Sequence, residues 1–279
     1  MKLTLITLAV VALPLAAQER PGMRQIQTQR QDSGSQQLNC DSKNFSQNRM
    51  VTQCEMREQT IGFGGRLTVD SGTNGGMTVK GWDRSDALVR AKIEAAGDDQ
   101  LAAKALLSQI FLDASTGMVS ARGPQVSGKG QNWNVQFEIF VPRRADLSLK
   151  AHNGGIGISD VHGRIEFETM NGGVTLNRLG GDVEGKTMNG GVTVNLTGDR
   201  WDGTKLDART SNGGVTINMP ERYSANFEAG TVNGGLNVDF PMTVRGELGK
   251  RLSTVIGSGG PTIRVETTNG GVNVRRTAI

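Results

Sequence analysis

The residues with chemistry to offer are few, and histidine comes first. His152 and His162 each stand at or near a glycine corner, so a paired-histidine metal centre is the first arrangement to weigh. It lacks a third ligand, because no Cys, further His or paired carboxylate keeps ligand spacing with the two. The sequence therefore predicts corner histidines on the surface and no metal site. Neither His accompanies a Ser or Cys in a nucleophile motif, so a hydrolytic triad has no starting point. No Lys-Ser/Thr follows the glycines to make a phosphate cradle. Catalytic residues and cofactors are accordingly expected to be none.

Two rows of polar residues are more informative. Glu166, Glu184, Asp207 and Glu228 recur at one position of a repeated string, and stacked about 5 Å apart they would repel one another. Lys186 and Arg209, two residues along, offer internal neutralisation, with calcium along the row as the alternative. The known calcium-binding coil repeat carries Asp within its glycine turn, which is absent here. Thr175, Thr193 and Thr216, continued by Asn237 and Asn273, form a second outward row. It reads as a solvated face, or as a stripe matched to a repeating glycan or an ordered water lattice.

What positions these rows is a repeat. Asn-Gly-Gly begins at Asn153, Asn171, Asn189, Asn212, Asn233 and Asn269, with an earlier copy at Asn74. The spacing gives a unit of about 18 residues, and the last gap reads as two units. Around the triplet, Ile165–Leu176 matches Val183–Val194, Leu206–Ile217, Phe227–Val238 and, more loosely, Ile263–Val274. Each unit is strand, corner, strand. Asn-Gly tolerates positive φ at the corner, and the second Gly is expected to let the next coil approach. Alternation places Ile165, Phe167 and Thr169 inside, then Val174 and Leu176. The expected fold is an all-β solenoid with Asn-Gly-Gly corners. A meander of Asn-Gly hairpins is the competing arrangement, disfavoured because a meander has no reason to repeat one triplet in one register.

The rest of the chain frames that repeat. Lys2, the apolar run Leu3–Leu13 and Ala17 before a polar stretch read as a signal peptide over residues 1–17, which implies export to the periplasm or cell surface. Residues 18–39 have the composition of a flexible polar arm. Residues 40–150 are read as a β-rich segment with one covering helix from Gln100 to about Ile110, capped by Asp98 or Asp99, and residues 151–279 as the repeat body. Cys40 and Cys54, the only cysteines, are expected to pair in an oxidising compartment. The insert Gly198–Lys205, with Trp201, is expected to protrude. With 39 Gly and 4% aromatic residues, the core must be thin. The net charge of +4, spread along the chain, excludes a nucleic-acid partner as the natural reading.

The run Thr-x-Asn-Gly-Gly-apolar-Thr/Asn-apolar, together with Cys54–Glu58, Val79–Asp83 and Gly257–Ile263, resembles a bacterial β-strand-repeat family described as candidate adhesins of unknown function, over about Cys40 to Arg275. The resemblance implies stacked β coils, an envelope setting and no assigned catalytic residue or cofactor. The expected role is a non-catalytic binding or structural module. Its partner would be an envelope polymer, a surface, a protein or another copy of itself. A polysaccharide-active β-helix enzyme and an envelope-stress sensor acting through its polar arm are the alternatives.

Overall fold

The computed structural model describes residues 38–40, 50–126, 130–240 and 249–277; the expected signal peptide and nearly all of the expected polar arm lie outside the described residues. The fold is all-β apart from one helix. The chain opens with β1 (Val51–Gly62), β2 (Arg66–Asp70), β3 (Met77–Trp82) and β4 (Asp86–Gly97), then α1 (Gln100–Leu107), β5 (Phe111–Ser115), β6 (Met118–Arg122) and β7 (Asn132–Pro142). The repeats follow as β8 (Asp146–Asn153) and β9 (Ile156–Ser159), β10 (His162–Asn171) and β11 (Val174–Asn177), β12 (Gly180–Asn189) and β13 (Val192–Asn195), β14 (Gly203–Asn212) and β15 (Val215–Pro220). The chain ends with β16 (Ala225–Asn233), β17 (Leu236–Val238), β18 (Arg251–Ile256), β19 (Thr262–Asn269) and β20 (Val272–Thr277).

These strands make two ten-stranded sheets, in the order β1-β4-β7-β3-β9-β11-β13-β15-β20-β17 and β18-β16-β19-β14-β12-β10-β8-β2-β6-β5. Each Asn-Gly-Gly carries the chain from the second sheet to the first, and successive repeats pair in parallel. The matched strings stand rung against rung, Ile165 against Val183, Val183 against Leu206, and Leu206 against Ile263. Because strand side chains alternate, Ile165, Val183, Leu206, Val174, Val192 and Val215 all turn inward, and residues of both sheets join one hydrophobic cluster. The core is thin where the sequence places it: a Cβ on Gly185 would lie 2.5 Å from the Phe167 ring, which occupies that space. β8 spans the position between the 40–150 and 151–279 segments, and each sheet takes strands from both of them.

Sequence order and spatial order part at the end of the chain. β19 lies between β14 and β16, and β20 between β15 and β17. The Asn269 unit is thus inserted between the Asn212 and Asn233 units rather than stacked after them. β18 runs antiparallel on the far side of β16, so the chain doubles back before β19 enters. The gap from Asn233 to Asn269 holds this reversal, where sequence spacing suggested a second coil.

The corner also differs from its expected form. Among the described residues only Asp160 and Arg178 have positive φ without being glycine, so the corner Asn residues are not there for left-handed backbone. Their side chains stack instead. Nδ2 of Asn153 donates to Oδ1 of Asn74 at 3.0 Å, Asn171 to Asn153 at 2.8 Å, Asn189 to Asn171 at 2.7 Å and Asn212 to Asn189 at 2.8 Å. Asn269 continues to Asn212 at 2.7 Å and Asn233 to Asn269 at 2.8 Å, giving one unidirectional amide ladder. One residue pair inward, the buried Thr169, Thr187, Thr210, Thr231 and Thr267 each donate to a glycine carbonyl of the neighbouring corner at 2.7–2.8 Å. Thr187→Val keeps the shape and removes one such bond, leaving the Gly172 carbonyl short of a partner. The expected cost is about 1–2 kcal/mol, read as a lower urea midpoint at unchanged slope.

At the other end, α1 stops at Leu107, earlier than expected, with Asp99 accepting from the Ala102 N–H at 2.7 Å. Its buried residues are Ala103 and Leu106, while Leu101 is 77% exposed and takes no part in the cover. Cys40 and Cys54 form the expected disulfide, with Cα atoms 5.7 Å apart. Trp201 corrects another expectation. It is buried and its Nε1 donates to the Gly181 carbonyl at 2.9 Å, so the insert folds back onto the body, and a register shift at Gly181/Asp182 takes up one residue beside it.

Candidate functional site

The outer face of the second sheet carries the charges. In register across it stand Glu166, Glu184, Asp207, Arg264 and Glu228, so the inserted β19 breaks the four-carboxylate row with a cation. Arg264 reaches Glu228 at 2.6 Å and Asp207 at 3.8 Å, Arg209 reaches Asp207 at 2.7 Å, and Arg164 reaches Glu166 at 2.9 Å. Lys205 closes on Glu184, whose carboxylate holds the Lys205 ammonium above its ordinary pKa. Lys186 pairs with Glu168 at 3.3 Å rather than with the row itself. A shallow cleft of about 580 Å³ lies among Glu166, Glu184, Lys205, Asp207 and Arg209. Every carboxylate of the row has a cation as partner. Such exposed pairs contribute little stability each, but they remove the repulsion a bare acidic ladder would suffer.

The return turns, opposite the Asn-Gly-Gly corners, form a second charged edge. Arg178 donates twice to Asp160, both at 2.7 Å, and this guanidinium holds the Asp160 carboxyl below its usual range. His162 lies there, 3.4 Å from Asp202, while burial pushes the nearby Tyr223 phenol up. His152 is elsewhere. It stands in register with Met170, eight residues along β10 from His162, or about 26 Å of strand, so the two histidines cannot share an ion. Among the described residues no three His, Cys, Asp or Glu side chains gather closely enough to hold a metal ion.

The outer face of the first sheet is charged at its β1-β4-β7-β3 end, where Lys80 and Arg90 pair with Glu138 and Arg90 with Glu58, and differs over its middle repeats. Thr175, Thr193 and Thr216 stand in register, followed by Asn273 and then Asn237, the last two in the reverse of their sequence order. Beside them runs a row that sequence reading passed over, Asn177, Asn195 and Asn218. Asn195 donates to Asn177, and Asn218 to Asn195 at 2.5 Å. The signal for it was present: each Asn follows its Thr by two residues, the strand period. Three coils thus display a Thr-x-Asn grid without a charged side chain, on parallel strands fixed from beneath by Val174, Val192 and Val215, each at most 1% exposed.

Residues 24–275 match the model of Toastrack DUF4097. The chain belongs to the Toastrack DUF4097 family. None of the curated proteins matches it. Among solved structures, this Toastrack chain is similar to a candidate cell adhesion protein from Clostridium sporogenes, at 13% identity and TM-score 0.45, over 81% of this chain and 100% of that one. It is also similar to a candidate adhesin from Bacteroides fragilis, at 11% identity and TM-score 0.31, over 81% and 97% of the two chains. A candidate adhesin from Parabacteroides distasonis gives 8% identity and TM-score 0.35, over 78% and 97%. Among the described residues no helix is long and apolar enough to cross a membrane.

Proposed function

We propose that this Toastrack protein is exported and acts as a non-catalytic β-solenoid module that binds a repetitive polymer of the cell envelope through the uncharged Thr-x-Asn face of its first sheet. The observation that carries this reading is the register of that face. Thr175, Thr193 and Thr216 beside Asn177, Asn195 and Asn218 repeat at the strand spacing of about 4.8 Å, with hydroxyl and amide groups presented on a rigid plane. A polymer that repeats its own hydroxyls meets such a grid at several points without ordering any protein loop, so little entropy is lost on binding. The opposite face gives a contrast, because its charges are engaged with one another. The disulfide between Cys40 and Cys54 fits an oxidising compartment.

The test is retention of the purified protein on whole cells, peptidoglycan and outer-envelope fractions. Thr175→Glu with Thr193→Glu puts carboxylates on the grid, and retention is expected to fall by at least about tenfold. The control Glu184→Gln, on the other sheet, is expected to bind as before. Retention on no fraction, or equal loss in both variants, would overturn the assignment of this face.

A further inference from the structure

His152 was weighed above against His, Cys and carboxylate partners, and the fold supplies partners of another type. Ala151 pairs with Thr169 and Thr169 with Thr187, while Asn153 pairs with Asn171 and Asn171 with Asn189. The residues between, His152, Met170 and Met188, therefore stand side by side on β8, β10 and β12. Their flanking residues Ala151, Thr169 and Thr187 are buried, so the three point outward together. All three line one recess of about 230 Å³, bordered by Gly72 and Ser211 at its two ends. Met170 is 39% exposed and Met188 49%, two thioethers side by side on adjacent strands. Among the described residues the His152 side chain has no hydrogen bond or ion pair.

Parallel strands lie about 4.8 Å apart, and a methionine side chain has three rotatable bonds. Two thioether sulfurs and an imidazole nitrogen on adjacent strands can therefore converge on one ion without moving the backbone. The donor set decides which ion. Thioethers are soft and uncharged, poor ligands for calcium or magnesium, and with imidazole they favour Cu(I). An uncharged donor set also suits a monovalent cation better than a divalent one, since no ligand charge is present to offset the second positive charge. Lys150 and Lys186 also line the recess, together with the carboxylates of Asp70 and Glu168, and Lys186 is engaged with Glu168 at 3.3 Å. We propose that His152, Met170 and Met188 form a surface binding site for Cu(I), with one coordination position left open to solvent. This site is on the second sheet and independent of the Thr-x-Asn face.

Silver(I) is the probe, because it shares the soft monovalent chemistry and is inert to redox, so the disulfide stays closed and contributes no thiolate. The protein is labelled at the methionine methyl carbons and titrated with silver nitrate in chloride-free buffer by NMR. One equivalent is expected to shift the Met170 and Met188 methyl signals, assigned by loss in Met170→Leu and Met188→Leu, and to leave the exposed Met118 in place. His152→Gln is expected to weaken binding by at least about tenfold, and Cu(I) delivered from a competing chelator is expected to displace silver from the same two methyls. Calcium at a thousandfold higher concentration is expected to shift neither. Silver that shifts Met118 as readily as the pair, or His152→Gln binding as tightly as the parent, would overturn the site. The shifts in the unaltered protein decide the question even if a variant fails to fold.

Discussion

A chain ending at Gly260 is expected to lose cooperative folding. Sequence order makes residues 262–277 look like a terminal unit whose removal would expose one end of the stack. Spatially they are an interior layer: β19 pairs with both β14 and β16, and β20 with both β15 and β17. Ile263, Val265, Val272 and Val274 are at most 1% exposed, and losing four such side chains removes on the order of 6–12 kcal/mol of apolar burial. Folded domains hold only about 5–15 kcal/mol in all. The deletion also breaks the amide ladder at Asn269 and takes away the Thr267 bond to the Gly213 carbonyl. Far-ultraviolet circular dichroism through a urea titration should show no sigmoidal transition. A truncated protein with the parent's midpoint would mean that the Asn233 unit docks directly on the Asn212 unit and that β19 adds nothing between them.

Register was legible in the sequence and order was not. A one-residue slip would turn Val183 or Leu206 to solvent, so the matched strings fix the rungs wherever one face is buried. Nothing in those strings ranks the partners of Leu206, because Phe227 and Ile263 fit the next rung equally well. The choice rests on the reversal through β18, whose antiparallel pairing with β16 is a long-range event with no local signature. The same ambiguity hides the break in the acidic row, because Arg264 enters between Asp207 and Glu228 only once β19 is placed between β14 and β16. Trp201 was misread because an aromatic residue in a glycine-rich insert looks exposed until a carbonyl such as that of Gly181 is placed beside it. His152 is discounted in the sequence because only Cys, His and carboxylates are weighed as its partners, whereas Met170 and Met188 stand beside it across strands, 18 and 36 residues away. β1, with Glu55, Arg57 and Gln59 among its residues, carries no apolar alternation to mark it as a strand within the β-rich 40–150 segment. As an edge strand paired on one side only, it needs less apolar surface than an interior one.

The two glycines of the Asn189 corner should respond differently to alanine. A Cβ on Gly190 would lie 2.1 Å from the Gly172 carbonyl oxygen and 2.5 Å from its carbon, a collision of backbone with backbone that no rotamer relieves. The same geometry holds at Gly172 against Gly154, and at Gly213 against Gly190, so opening one rung strains the ladder on both sides. Gly190→Ala is expected to cost about 3 kcal/mol or more, a fall of roughly 6–12 °C in Tm for a chain of this size. A Cβ on Gly191 meets nothing closer than 3.4 Å, and its φ lies outside the left-handed region. There alanine chiefly restricts the unfolded chain, so Gly191→Ala should be neutral or stabilising by up to about 1 kcal/mol. Sequence reasoning assigned the close approach to the second glycine, so calorimetry on the pair separates the two accounts directly. If Gly191→Ala is the damaging change, the corner turns as the sequence suggested. If Gly190→Ala is, the first glycine exists to let one corner's backbone lie against the next, and the Asn before it and the Thr two residues further back are the hydrogen-bonding side chains that this approach brings into register.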